Sequence, residues 1–182
     1  MAASTSPMTA GSDNAAEARP LRRVGFSLGS NMGNRLAMLE RACDRLAEQF
    51  GSLRLSQVYE TDPVDCPEGS PAYLNACVEV ETDMPAEEIL ALCLRTETEL
   101  GRVRGTVYGT PRTCDIDLLY CGDEVLRTET LTLPHPLMTE RAFVLQPLCD
   151  IDPLLVLPGQ SRTVAELLEA LPPEHAVVLY PL

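Results

Sequence analysis

The sequence predicts one α+β domain in which helices pack against a mostly antiparallel sheet. Hydrophobic periodicity changes along the chain in the order strand, helix, strand, strand, helix, strand, and no linker or repeat divides it. With 182 residues, 45% of them hydrophobic, the chain can build a full core. This order is related to the ferredoxin-like arrangement, so we expect a three-layer αβα domain over residues 22–182. Residues 1–21 are rich in Ala, Ser and Thr without periodicity and are predicted to be a disordered tail.

The domain is predicted to begin with a strand at 23–28, a glycine-containing loop at 29–34 and a helix. Asn34 is a candidate N-cap because apolar residues recur at helical spacing after it. Glycines between a strand and a helix can cradle phosphate. However, neither a P-loop pattern nor G-x-G-x-x-G is present, which favours a structural turn. A second strand is predicted at 53–59.

The middle of the chain alternates a long loop with regular elements. Residues 61–71 carry three prolines and no periodicity, and loops of this length are often binding elements. A strand at 73–81 follows. Pro85 suits the first position of a helix that runs to about Leu100 and ends at Gly101.

The last third contains shorter signals. An extended stretch ends at residues 131–136, and a short helical turn is predicted at 138–145. A helix near 164–171 and a strand near 177–180 complete the domain.

A strand with two acidic residues is the strongest chemical signal. Asp115 and Asp117 lie two apart among apolar residues, so their side chains should project from the same face, about 6–7 Å apart. Oxygen ligands in such a pair suit Mg²⁺, which takes further ligands from water and substrate phosphate. The alternative is a solvated strand face, which this pattern alone favours. The inward residues would then be Cys114, Ile116, Leu118 and Tyr120.

The charge distribution adds to that signal. The net charge of -13 argues against a nucleic-acid surface and means that an anionic ligand needs a local cluster of arginines, a metal, or both. Arg102, Arg104 and Arg112 lie in the loop just before the two aspartates. Arginine recognises phosphate oxygens in a bidentate manner, so this loop and the aspartates together indicate a metal–nucleotide site.

The cysteines and the hydropathy of the sequence limit the cellular compartments in which the protein is expected. Seven cysteines without C-x-x-C lie mostly in apolar runs, which is typical of buried thiols in a reduced cytoplasm. Two histidines are too few and too scattered for a zinc site. No window reaches the roughly 18 apolar residues of a membrane span, and no secretory or transit signal fits the N-terminus.

Short segments spread over about residues 23–153 form a distinctive set. The segments are Leu28-Gly29-Ser30-Asn31 with Gly33 and Arg35, Tyr59-Glu60-Thr61, Tyr73-Leu74-Asn75-Ala76, Glu97 with Gly101-Arg102-Val103-Arg104, Pro111-Arg112-Thr113, Asp115-Ile116-Asp117-Leu118, Leu133-Pro134-His135-Pro136 and Glu140-Arg141-Ala142-Phe143-Val144-Leu145. In this order and spacing they resemble the 6-hydroxymethyl-7,8-dihydropterin pyrophosphokinase family of the folate pathway.

The resemblance implies a reaction. The family transfers the β,γ-diphosphate of ATP to the hydroxymethyl group of a reduced pterin and releases AMP. It implies two Mg²⁺ held by Asp115 and Asp117, with ATP as co-substrate and the pterin as substrate. It implies no nucleic-acid or membrane partner. We expect a monomer, with association with other folate enzymes left open.

The resemblance also implies roles for individual side chains. Catalysis would involve Arg102, Arg112, Asp115 and Asp117. ATP would contact Glu97, Arg102, Arg104, Arg112, Leu118, His135 and Arg141. The pterin would stack between Tyr73 and Phe143, and its polar edge would meet Asn75, Thr61 and Val64.

The chain departs from the family in two loops. Tyr108-Gly109-Thr110 stands where a Trp-Gly or similar aromatic usually precedes Pro-Arg-Thr, and Gly105 replaces a basic residue. The loop from Thr61 to Tyr73 is one residue longer, with Ser70 where Gln is frequent. These loops are expected to close over ATP, so the departures affect rates more than reaction type. They also leave open a catalytically silent module that senses a nucleotide or pterin.

Overall fold

The computed structural model describes residues 19–63, 69–102, 113–172 and 177–182. The elements in chain order are β1 (Arg22–Ser30), α1 (Arg35–Phe50), β2 (Arg54–Leu55), β3 (Tyr59–Thr61), β4 (Tyr73–Thr82), α2 (Ala86–Glu99), β5 (Asp115–Cys121), β6 (Leu126–Arg127), β7 (Thr132–Leu133), a 3-10 turn (Met138–Glu140), α3 (Ala142–Ile151), α4 (Val164–Glu169) and β8 (Val177–Leu179).

Six strands form one antiparallel sheet in the order β5-β1-β4-β3-β8, with β2 also paired to β4. The long strands β1 and β4 lie at its centre, and β6 and β7 form a separate two-stranded ribbon. The expected single α+β domain with a mostly antiparallel sheet is confirmed.

Helices α1 and α2 cover one face of the sheet. Their apolar residues, including Leu39, Leu46 and Ile89, pack with Phe26 and Leu28 of β1 in one buried cluster. Asn34 caps α1 as predicted, since its side-chain oxygen accepts a hydrogen bond from the N–H of Ala37 at 3.2 Å.

Helices α3 and α4 cover part of the opposite face. Val144 and Leu148 of α3 and Leu167 of α4 are buried with Cys77 of β4. The helices therefore lie on both sides of the sheet, which is the expected αβα order. Because α3 covers only part of its face, we call this side the α3 face and follow it below.

A β-bulge changes the direction of one side chain. Gly25 pairs with Tyr120 while Phe26 pairs with Leu118, so Leu119 is the extra residue in β5. Cys114, Ile116 and Leu118 pack in the cluster under α1 and α2, as expected of inward residues. The expectation for Tyr120 was wrong. The bulge turns its side chain to the α3 face, where it packs in the buried cluster under α3 and α4, which we call the α3 cluster.

Two element predictions were also wrong in extent. The strand expected at 53–59 is two short strands, β2 and β3. The turn expected at 138–145 is a 3-10 turn followed by a ten-residue helix that continues through Pro147. Proline usually stops a helix, but here burial of α3 against the sheet offsets the lost hydrogen bond.

The cysteines of the described ranges are all free thiols, four of them buried and two half-buried. Burial raises the pKa of Cys43 to about 11 and that of Cys114 to about 12, so both stay protonated and unreactive at neutral pH. None of the described helices is long and apolar enough to cross a membrane. Residues 1–18 of the predicted tail lie outside the described residues.

Candidate active site

Beyond the first turn of α3, none of the described helices covers the α3 face, which carries polar side chains there; we call this part the open end. Gly29 of β1 pairs with Asp115 of β5 on one side and with Asn75 of β4 on the other. A Cβ atom built on Gly29 would lie 3.4 Å from Oδ1 of Asn75. It would also lie 3.8 Å from Cδ1 of Tyr73 and 4.0 Å from Cβ of Asp115. These side chains therefore surround one depression whose floor is Gly29.

Asp115 and Asp117 project from this same face, as predicted. Asp117 pairs with Ser27 and Asp115 with Gly29, without a bulge between them. Burial raises the pKa of Asp117, and the charge of Asp115 raises it further. The positive charges of His135, Arg141 and Arg102 act in the opposite direction but do not outweigh these causes. Among the described residues, burial and the charge of Asp115 thus outweigh the positive charges beside Asp117, an environment in which a bound cation would be favourable.

A third carboxylate lies behind the pair. Glu97, at the end of α2, is 2% exposed, and its Oε1 accepts the N–H of Ile116 at 2.8 Å. Arg102 forms ion pairs with both Glu97 and Asp115, the latter at 2.5 Å. Burial raises the pKa of Glu97, opposed by the hydrogen bond from Ile116 and the charge of Arg102. Glu97 therefore fixes Arg102 beside Asp115.

His135 is held at the β5 end of the site. Its backbone N–H donates to the carbonyl of Leu119 at 2.8 Å, and its Nδ1 accepts the N–H of Leu137 at 3.2 Å. When the ring is neutral, its proton must therefore be on Nε2. Burial lowers the pKa of His135, while the charge of Asp117 raises it. The neutral ring can donate one hydrogen bond from Nε2.

The start of α3 brings two further residues. Arg141 lies at the N-cap, with its guanidinium carbon 5.6 Å from the ring centroid of Phe143. This distance is typical of a cation–π contact. Phe143 is half-buried against the α3 cluster, so its ring lies on the face that carries Tyr73.

The other side of the depression is polar and rigid. Asn75 and Thr61 are 4% and 5% exposed, and Nδ2 of Asn75 donates to Oγ1 of Thr61 at 2.7 Å. Tyr73 pairs with Thr61 across the strands. One N–H of the Asn75 amide is therefore occupied within the protein, which fixes the orientation of the amide.

Several predicted residues are placed differently or lie outside the described ranges. The side chain of Leu118 is 4% exposed and packs under α1 and α2, so any contact with a nucleotide would come from its main chain. Val64, Arg104 and Arg112 lie outside the described residues.

Sequence reasoning gave no role to two residues that support the site. The hydroxyl of Ser30 donates to the carbonyl of Thr113 at 2.6 Å, just before β5. Arg35 donates to the carbonyl of Ala72 at 2.8 Å, just before Tyr73. Ser30 and Arg35 both belong to the segment at residues 28–35 that resembles the family, and its polar residues were the sequence signal that could have identified them.

The donor set suits a metal that is shared with a ligand. Within the described ranges, no three His, Cys, Asp or Glu side chains converge on a point that could hold a metal ion. Asp115 and Asp117 do share one face of β5, and such a pair is a set that Mg²⁺ accepts when phosphate and water complete its coordination.

An α+β domain that gathers two aspartates, arginines and a histidine in one depression belongs to the class of enzymes that handle phosphorylated ligands. Residues 25–153, about seven tenths of the chain, match the family described as 7,8-dihydro-6-hydroxymethylpterin-pyrophosphokinase (HPPK). The chain belongs to this family.

Curated relatives agree with the family match. The 2-amino-4-hydroxy-6-hydroxymethyldihydropteridine pyrophosphokinase of Methylorubrum extorquens is 40% identical over 155 residues, which cover 84% of this chain and 96% of that protein. The Bacillus subtilis protein of the same name is 42% identical over 128 residues, covering 69% of this chain and 75% of that one. Folic acid synthesis protein fol1 of Pneumocystis carinii is 37% identical over 147 residues, 80% of this chain but only 20% of that protein.

Solved structures share the fold. A Plasmodium falciparum HPPK-DHPS structure with pteroate superposes with a TM-score of 0.65 at 16% identity. The superposition covers 85% of this chain but 44% of that one, so the chain spans less than half the length of that structural relative.

Proposed function

We propose that this chain is a Mg²⁺-dependent enzyme that transfers the β,γ-diphosphate of ATP to the hydroxymethyl group of 6-hydroxymethyl-7,8-dihydropterin and releases AMP. The observation that carries the proposal is the position of Asp115 and Asp117 on one face of the sheet, in the part that no described helix covers. Burial and mutual repulsion raise the pKa of Asp117 there despite the arginines nearby. Such a pair is stabilised by a cation, and a metal–nucleotide complex supplies one.

Two Mg²⁺ would be held by Asp115 and Asp117, with the remaining coordination from ATP phosphates and water. When bound, the ions neutralise phosphate charge and align the two reacting oxygens. The protein keeps the carboxylates in place because both flank Ile116, whose N–H is fixed by Glu97. Cation binding needs little rearrangement of this backbone.

The phosphates of ATP would meet the positive groups around the pair. Arg102 already lies 2.5 Å from Asp115, neutral His135 would donate to a phosphate from Nε2, and Arg141 lies at the start of α3. Arg104 and Arg112 remain proposed phosphate ligands from the preceding loop. Glu97 would act by holding Arg102, and Leu118 would border the nucleotide through its main chain. Charge stabilisation by such fixed groups is the main demand of phosphoryl transfer.

The pterin would bind over Gly29 between the rings of Tyr73 and Phe143. Each stacked face adds about 0.5–1.5 kcal/mol beyond area burial. Because Thr61 occupies one N–H of Asn75, the Oδ1 atom and the second N–H can pair with the donor and acceptor edge of the ring. Val64 is proposed to contribute to the same edge.

In the reaction, the hydroxymethyl oxygen attacks the β-phosphorus of ATP. The bond between that phosphorus and the oxygen of the AMP leaving group breaks, and the hydroxyl proton passes to solvent water. Arg102 and Arg141 would stabilise the negative charge that spreads over the transferred phosphates. Asp115 and Asp117 would hold the metal ions, which would supply further neutralisation of the phosphate charge.

The experiment is chromatographic detection of AMP from ATP, with and without the reduced pterin, in Mg²⁺ and in EDTA. We expect AMP in equal amount to diphosphorylated pterin, and none when either pterin or Mg²⁺ is omitted. ADP as the product, or AMP formation without pterin, would contradict the proposal. Tight pterin and nucleotide binding with no turnover would instead identify a silent sensor.

We further propose that the protein acts in the cytoplasm as a monomer. The relatives named HPPK-DHPS and fol1 are longer chains, which supports a proposal of association with other folate enzymes. Light scattering of the purified protein, alone and mixed with such an enzyme from the same source, tests both points.

A further inference from the structure

A second charged cluster lies at the covered end of the α3 face. Glu79 of β4 is 2% exposed and accepts hydrogen bonds from Nε of Arg23 at 2.9 Å and from the hydroxyl of Tyr120 at 2.5 Å. Arg54 donates to its other oxygen at 2.7 Å. We call these residues, with Asp152, the Glu79 clamp. The proposed reaction uses none of them.

Each arginine of the Glu79 clamp also binds the end of α3. Arg54 donates to the carbonyl of Ile151 at 2.5 Å, and Arg23 forms an ion pair with Asp152, the C-cap residue, at 2.7 Å. Two parallel bridges thus run from one buried carboxylate to one helix end. A cation is favourable there because the last carbonyls of a helix carry partial negative charge.

The bulge at Leu119 and the absence of a side chain at Gly25 make room for this arrangement. A Cβ atom on Gly25 would lie 2.2 Å from the ring of Tyr120. The ring therefore lies directly over Gly25, and its hydroxyl reaches Glu79 because the bulge returned it to this face. Burial, followed by the hydrogen bond to Glu79, raises the pKa of Tyr120, so the hydroxyl stays a donor.

The other end of α3 carries the proposed pterin contact. Asn75, Cys77 and Glu79 follow one another on the same face of β4, at about 6.6 Å per step. The first turn of α3 lies over Cys77, whose thiol donates weakly to the carbonyl of Val144 at 3.5 Å. Ten residues of helix span about 15 Å, so the clamp and Phe143 lie at opposite ends of one short rod.

Pro147 removes a hydrogen bond from the first turn of α3, so the position of that turn depends on how the helix packs against the sheet. Proline has no N–H, so the carbonyl of Phe143 lacks its ordinary helical hydrogen bond. The location of the first turn then depends more on the contact of α3 with the sheet. The buried residues Val144, Leu145 and Leu148 make much of that contact, while the clamp and Asp150, which accepts the hydroxyl of Tyr59 at 2.9 Å, hold the last turn against the sheet.

We propose that the Glu79 clamp is a positioning device that sets the place of Phe143, and thereby the width of the slot that takes the reduced pterin. The proposal rests on the proposed function. It assigns Arg54 and Glu79 to pterin affinity although neither lies at the site.

The test replaces Arg54 with methionine, which keeps the apolar stem but removes the Arg54 bridge and leaves the Arg23 bridge in place. Arg54→Lys is the conservative variant, and Arg45→Met is the matched control, since Arg45 is an exposed arginine that pairs with Glu48 on α1. The dissociation constant of the pterin is measured by its fluorescence with Mg²⁺ and a non-hydrolysable ATP analogue. The analogue's own dissociation constant is measured by calorimetry, all well below the melting temperature.

We expect Arg54→Met to raise the dissociation constant of the pterin about tenfold while that of the ATP analogue stays within twofold. Arg54→Lys should recover part of the loss, and Arg45→Met should change neither constant. Because the tie between Tyr59 and Asp150 remains, α3 should stay docked and the variant folded. Unchanged pterin affinity in a folded Arg54→Met variant overturns the proposal.

A ligand-free measurement separates this proposal from the proposed function. If the wild-type protein binds no pterin, the proposed function fails. Hydrogen exchange then tests by itself whether the Glu79 clamp positions the first turn of α3. The amides of Val144 and Leu145, which donate to the carbonyl of Arg141, should then exchange faster in Arg54→Met than in Arg45→Met, while α1 is unchanged. Equal exchange in both variants contradicts the clamp.

Discussion

The two ends of the α3 face carry buried acids in opposite electrostatic situations. At the covered end, Glu79 receives hydrogen bonds from two arginines and a tyrosine. At the open end, Asp117 lies beside Asp115, and burial and repulsion raise its pKa. Both ends lie on the same sheet: through β1, Asp117 is level with Cys77 and Asp115 with Asn75, two and four residues from Glu79 along β4. The comparison teaches that two buried acids of one sheet face can differ in the countercharge that the described residues supply, and this difference, more than burial, makes Asp117 the candidate functional carboxylate.

The largest expected effect tests the open end. Asp117→Asn keeps the shape of the side chain but removes the charge that would hold Mg²⁺, so turnover should fall by about 10³-fold. Steady-state AMP formation measures it. Asp44→Asn on the exposed side of α1 is the control and should keep full activity. A loss of turnover smaller than tenfold in Asp117→Asn would mean that the two aspartates form only a solvated face of the strand.

Alanine substitution of two glycines of β1, one at each end of the α3 face, compares the two ends directly. Gly25→Ala would place a Cβ atom 2.2 Å from the Tyr120 ring, so we expect overpacking to cost about 3 kcal/mol, a drop in Tm of about 6–12 °C. Gly29→Ala meets its nearest atom only at 3.4 Å, so its Tm should change little. However, its methyl group fills the depression and should weaken pterin binding. Equal losses of Tm in both variants would contradict this division.

Mg²⁺ should raise the Tm of the protein only when the two carboxylates of the open end are present. At ten times its dissociation constant, Mg²⁺ should add about 1.4 kcal/mol to the free energy of unfolding, or about 3–6 °C in Tm. A variant with both Asp115→Asn and Asp117→Asn should show no such shift, whereas Arg54→Met should keep it. Thermal scans with and without MgCl₂ make the comparison. A full shift in the double variant would place the metal elsewhere.

The smallest effect concerns acid pH at the covered end. Burial favours the protonated form of Asp152, but the hydrogen bond and charge of Arg23 outweigh it and lower the pKa of Asp152. An acid with a lowered folded pKa stabilises the fold above its unfolded pKa, and that contribution is lost as pH falls through the folded pKa. Below about pH 4 the wild-type protein should therefore approach the stability of Asp152→Asn. A constant difference between them from pH 6 to pH 3 would contradict the ion pair.

Much of the open end could be predicted because its signals are local. Alternation along 115–118 gives the common face of the two aspartates, and Asn34 gives the start of α1. The covered end could not be predicted, since Arg23, Arg54 and Tyr120 meet Glu79 only after four strands pair. Tyr120 was assigned to the wrong face because strict alternation does not allow for a bulge. The length of α3 was missed because Pro147 normally signals a helix end.

The most direct test of the account is thermal unfolding of ligand-free Asp117→Asn and Glu79→Gln side by side at pH 7. Asp117→Asn removes a repulsion, so its Tm should equal or exceed that of the wild-type protein. Glu79→Gln removes the countercharge of two arginines, so its Tm should fall by several degrees. If Asp117→Asn lost as much stability as Glu79→Gln, the open end would be a structural ion cluster and not a site prepared for a metal.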